Sequence, residues 1–128
     1  MATKYWTNGA GDGSISNASN WSPSGAPSAS DVLIFAESPA GATSSDVVGG
    51  DYTSLGTLGE IRIGAGFTRS FGSSSSFVKI IADQVVSDSG GVVYLDVDCN
   101  TATSKVVVTG GASAITFFYL KGDVQELR

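Results

Sequence analysis

Residues Val92–Cys99 read VVYLDVDC. In an extended chain, successive side chains alternate between two faces. Val93, Leu95, Val97 and Cys99 then share one face, and Tyr94, Asp96 and Asp98 share the other. An apolar face backed by a polar face marks a strand buried on one side. The same period recurs in GEIRIG at 59–64, where Ile61 and Ile63 oppose Glu60 and Arg62. Further β-rich runs are DVLIF at 31–35, FVKIIADQVVSD at 77–88, SKVVVTGG at 104–111, AITFFYLKG at 114–122 and DVQELR at 123–128. Val47-Val48 suits a shorter strand. Val, Ile and Thr are abundant, and Gly interrupts nearly every window. No stripe of helical period survives ten residues, because β-branched residues and Gly both disfavour helix. The fold class is all-β.

Two all-β architectures fit this patterning. A β-sandwich or jelly roll needs tight hairpin turns such as Asn-Gly between antiparallel strands. A solenoid needs short strands, each ending in a turn, stacked rung on rung. Here the runs are separated by Gly-Gly at 90–91 and 110–111 rather than by hairpin dipeptides. SFGSSSSF at 70–77 and DCNTATS at 98–104 suit the corners of rungs. The patterning favours a small parallel β-helix, with the sandwich as the alternative. The whole of 1–128 reads as one domain, with a turn-rich segment at 1–36 and β-rungs over 37–128.

Composition narrows the function. A chain of 128 residues that is 41% apolar can bury a core without disulfides or metal. Only 15% of residues are charged, so neutral surface is plentiful. The net charge is −5, and the 7 basic residues form no cluster, which argues against a nucleic-acid partner. The absence of histidine removes the commonest general base and zinc ligand. The single Cys99, in an alternating apolar run, reads as a buried thiol. MATKYW contains no apolar signal core, and no run is long enough for a membrane helix. The expectation is synthesis in a cytoplasm, with no membrane partner.

Tyr5–Trp21 reads YWTNGAGDGSISNASNW, two tryptophans bracketing turn-forming residues. Large aromatics flanking turns can anchor a segment over the open end of a solenoid, or stack on sugar rings. The first reading is preferred. Extended to Phe35, the stretch YWTNGAGDGSISNASNWSPSGAPSASDVLIF resembles the opening module of right-handed β-helix proteins from phage virions and autotransporter-like bacterial surface proteins. The resemblance rests on Trp6, Gly11, Asp12, Gly13, Asn20, Trp21, Gly25, Pro27, Asp31 and Phe35. Ile15 departs from it, where that module carries a Trp. Gly66, Phe67, Thr68 and Gly72 resemble a turn that succeeds a short strand in the same proteins. The match spans about residues 5–80. It implies a right-handed parallel β-helix whose N-terminal cap is built on Trp6, Asp12, Asn20, Trp21 and Phe35.

Chemical motifs are sparse. DGSISN places oxygen side chains at 12, 14 and 16, as a calcium hand begins, but Asn17 and Pro23 stand where that loop needs Gly and Glu. Asp96 and Asp98 pair on one strand face, yet Asp83, Asp88 and Lys105 show no spacing that completes a lyase or glycosidase site. The Gly-rich pieces GAGDG and GGAS lack the strand–helix setting and lysine of a phosphate loop. The sequence implies no enzyme, no cofactor, and no catalytic or metal site. AITFFYLKG is apolar on both faces, and Phe117, Phe118, Tyr119 and Leu120 are its subunit-interface candidates. Val124 and Leu127 read like the start of another strand, so a partner or further chain is expected to cover that end. The resemblance and the missing signal together imply a virion protein: a phage capsid decoration or cement protein on the capsid surface, a homotrimer clamping the major capsid protein. The alternative is the N-terminal β-helix segment of a surface adhesin or carbohydrate-binding protein.

Overall fold

The computed structural model describes residues 2–36, 45–88, 90–99, 105–108, 115–122 and 126–127; beyond Asp98 the strands are described by their backbone pairing. The molecule is built from strands and two short 3-10 turns. One sheet, sheet A, contains β1 (Thr3–Trp6), β2 (Trp21–Ser22), β3 (Val32–Phe35), β6 (Glu60–Ile63), β9 (Gln84–Ser87), β11 (Lys105–Val108) and β13 (Glu126–Leu127). Sheet B contains β4 (Gly50–Asp51), β5 (Thr57–Leu58), β7 (Ser70–Phe71), β8 (Val78–Ala82), β10 (Val92–Cys99) and β12 (Ile115–Gly122).

Pairing is parallel throughout sheet B. In sheet A only β1–β2 is antiparallel. From β3 onward the chain passes repeatedly between the two sheets. This is not the hairpin pairing that an antiparallel sandwich requires.

The corners explain how one apolar run feeds two sheets. FVKIIADQVVSD contains two strands, β8 and β9, split at Asp83. Val78, Ile80 and Ala82 are buried before the corner, and Val85 and Ser87 after it. The inward phase therefore shifts by one residue at the turn. The pass before it turns the same way, from Leu58 through Gly59 to Ile61. Backbone bonds link these corners: Gly59 N donates to Asp31 O at 2.9 Å, and Asp83 N to Leu58 O at 2.9 Å. A Cβ on Gly59 would lie 2.7 Å from Ser30 O, so the close stacking requires glycine there.

Register stacks inward residues in columns. Leu33, Ile61 and Val85 are consecutive partners in sheet A, and Val78 partners Leu95 in sheet B. All five are fully buried, as are Val93, Val97, Phe67 and Phe71. Glu60, Arg62, Tyr94, Asp96 and Asp98 lie on the partly exposed face, as the alternation predicts.

Two sequence expectations need adjusting. SFGSSSSF is not a corner between sheets. Phe71 pairs with Val93, and Val78 with Leu95, so both ends of the segment lie in sheet B. The serines form an excursion within that sheet. Val47 forms only an isolated bridge to Phe71. Residues 37–44 and 100–104, and the side chain of Cys99, lie outside what is described.

Candidate functional site

The two tryptophans meet because β2 returns antiparallel to β1, which makes Trp6 and Trp21 register partners. Their rings sit 5.2 Å apart at 69°, and Phe35 lies 5.5 Å from Trp6 and 5.4 Å from Trp21. Phe71 extends the cluster at 4.9 Å from Phe35. Edge-to-face geometry of this kind adds to the burial energy. Trp6 is 0% and Trp21 3% exposed, so neither ring offers a face to a sugar. Each indole N–H is satisfied: Trp21 Nε1 donates to Ile15 O at 2.8 Å, and Trp6 Nε1 to Ser45 Oγ at 3.0 Å. Ile15 is buried in the same core.

Asp12 and Asn20 hold the loop between the tryptophans. Asn20 is fully buried and donates from Nδ2 to Asp12 Oδ1 at 2.6 Å and to Ser14 O at 2.8 Å. Its Oδ1 accepts the Ala10 N–H at 2.9 Å. Asp12 also accepts the Ser14 N–H at 3.0 Å and Asn17 Nδ2 at 2.7 Å. The Ser14 N–H, then the Asn17 and Asn20 amides, hold the Asp12 carboxyl below its ordinary range. Its oxygens thus face N–H donors, the opposite of what a cation requires. Among the described residues, no group of three or more His, Cys, Asp or Glu is placed to hold a metal.

The four residues of AITFFYLKG fall at two kinds of register position. Phe118 and Leu120 pair with Leu95 and Val97, which are fully buried in β10. Phe117 and Tyr119 pair with Tyr94 and Asp96, which are half-buried on its outer face. The pairing with β10 thus sets Phe117 and Tyr119 apart from Phe118 and Leu120.

Sequence reasoning missed a groove on the outer face of sheet B. It encloses about 440 Å³ between the serine excursion and the strands, lined by Asp51, Ser75, Ser76, Phe77, Lys79 and Asp96 among others. Asp51 pairs in register with Lys79, and Lys79 with Asp96, so three successive passes place a carboxylate, an ammonium and a carboxylate in a row. Phe77 packs edge-on against Tyr94, with centroids 5.6 Å apart at 70°. The Thr53 hydroxyl and N–H donate to Asp51 Oδ1 at 2.6 and 3.0 Å. These bonds, hydroxyl first, and the Lys79 charge hold the Asp51 carboxyl below its ordinary range. Asp96, which shares its strand face with Asp98, also pairs in register with Lys79. The available signal was that SF plus FVKIIA, without the intervening GSSSS, has the eight residues of VVYLDVDC.

The chain matches no protein-family model, no curated protein and no solved structure.

Proposed function

We propose that this chain is a structural, non-catalytic virion protein, a small right-handed parallel β-helix of the capsid decoration or cement type. It acts on the capsid surface by clamping neighbouring copies of the major capsid protein, as a homotrimer. One observation carries the reading: the ends of the strand stack differ. The sheet A edge formed by β2 is only two residues long, antiparallel, and followed by Pro23, which has no N–H to offer. At the C-terminal end, β13 of sheet A is as short as β2, but β12 of sheet B is eight residues long and, among the described residues, pairs with β10 alone. A long strand edge is a template for a strand from another chain. Parallel pairing with repeated passes between two sheets supports the β-helix, and parallel crossovers are right-handed almost without exception. The resemblance of the opening module supports the virion assignment by analogy.

Sedimentation and capsid binding test the reading together. The protein is expected to sediment as a trimer at micromolar concentration and to pellet with capsids that lack it. Phe117→Glu and Tyr119→Glu are expected to weaken both. A monomer that stays in the supernatant when capsids pellet would sink the proposal.

A further inference from the structure

We infer that the groove on the outer face of sheet B binds a neutral saccharide. The inference goes beyond the capsid reading and holds whether or not the chain coats a capsid.

The excursion at 72–77 is the first argument. In β10, Val93 and Leu95 are two residues apart; their partners Phe71 and Val78 are seven apart, so the lower pass carries five extra residues. The sheet needs none of them, because β10 covers the same register unbroken. The extra residues are nonetheless ordered by their own bonds. Ser73 N donates to Ser76 O at 2.9 Å, Ser76 N to Ser73 O at 3.1 Å, and Ser76 N also to Ser73 Oγ at 3.1 Å. Ser76 sits so closely over Gly49 that a Cβ there would overlap the Ser76 carbonyl oxygen. In stacked repeats, insertions map to loops on one face, which is often the binding face.

The lining identifies the ligand. Phe77 offers half-buried apolar ring surface to the groove, and Tyr94 packs edge-on against that ring from outside the lining. Around them stand hydroxyls at Ser75 and Ser76, carboxylates at Asp51 and Asp96, and the Lys79 ammonium. A sugar ring presents apolar C–H faces and hydroxyls that both donate and accept. Carboxylates accept such hydroxyls, each with about four lone-pair sites, while ammonium and serine groups donate to them. The strand spacing puts Asp51 and Asp96 about 10 Å apart across Lys79. Two carboxylates against one ammonium disfavour uronates and other anions, so among saccharides the neutral ones fit best. The volume suits a small ligand.

An NMR titration of the whole chain tests this, using neutral trisaccharides of glucose, galactose, mannose and N-acetylglucosamine, with trigalacturonate as the anionic control. At least one neutral sugar is expected to shift the amides of Asp51, Ser75, Ser76, Phe77, Lys79 and Asp96, with a Kd of about 1 mM or tighter. Asp96→Asn and Phe77→Ala are each expected to weaken binding about tenfold while the folded spectrum persists. Any one of three results of the titration would overturn the inference: no shifts at about 20 mM of any neutral sugar, shifts confined to another surface, or affinity unchanged in both variants. Protection of these amides by an added protein alone would also overturn it.

Discussion

The N-terminal clasp and the outer face of sheet B are made of similar materials, aromatic rings beside aspartates in a setting rich in serine and glycine. They differ in where the donors and the ring faces point. In the clasp, Trp6, Trp21 and Phe35 are buried against one another, and the Asp12 oxygens accept N–H groups of their own loop. On sheet B, Phe77 and Tyr94 are only half-buried, and Asp51, though it too accepts from its own loop at Thr53, stands with Asp96 on either side of Lys79 beside a groove. Composition does not separate the two regions; register and burial do. The first holds the fold together, and the second meets what lies outside it.

The largest expected difference is in the aromatics. Trp6→Ala and Trp21→Ala each empty a buried site and should lower stability by about 3–5 kcal/mol, measured by chemical denaturation. Phe77→Ala removes a half-exposed ring and should cost only about 1 kcal/mol. Equal losses would erase the distinction. Next come two substitutions at close contacts. Asn20→Ala removes a fully buried amide that bonds Asp12, the Ser14 carbonyl and the Ala10 N–H, and should cost about 1–3 kcal/mol. Gly49→Ala drives a methyl into the Ser76 carbonyl, and should cost a similar ~1–3 kcal/mol through overpacking.

Acid sharpens the comparison further. Burial opposes ionisation of Asp31, but the Ser28 and Ala2 N–H groups, the Ser28 hydroxyl and Lys4 outweigh it. Asp12 and Asp31 are therefore both held below the ordinary value of 3.8. A depressed folded value means that their stabilisation is full above the unfolded value and is lost as pH falls through the folded one. The melting temperature should fall on acidification below 3.8. An Asp12→Asn, Asp31→Asn double variant should start lower at neutral pH and lose less in acid. Asp46 and Asp51 are also held low, by Ser70 and Thr53, so only the difference between wild type and variant reports on the clasp. The smallest effect belongs to Asp96→Asn, which should change stability by no more than about 0.5 kcal/mol.

Much of the local structure was legible in the sequence. VVYLDVDC and GEIRI are strands with the faces their alternation assigns, because period two arises directly from an extended backbone. The bracketing tryptophans were legible as anchors, since large aromatics beside turns seek burial. Partnership between strands was not legible. Alternation identifies a strand but not its neighbour, so the row of Asp51, Lys79 and Asp96 from three separate passes had no linear signature. Strands as short as Ser70–Phe71 and Trp21–Ser22 carry too few residues to show a period. The corner at Asp83 hid inside one apolar run because the inward phase shifts there without a Gly or Pro to mark it. The four serines looked like a corner for the opposite reason: turn chemistry marks a break in the strand, not whether the chain then leaves the sheet.

The central claim is that the folded unit serves as a structural clamp rather than a catalyst. Its most direct test is the disruption temperature of capsids with and without the added protein. The account predicts that bound protein raises that temperature, and that Tyr119→Glu abolishes the rise while keeping the monomer folded. An unchanged disruption temperature at saturating protein would contradict it.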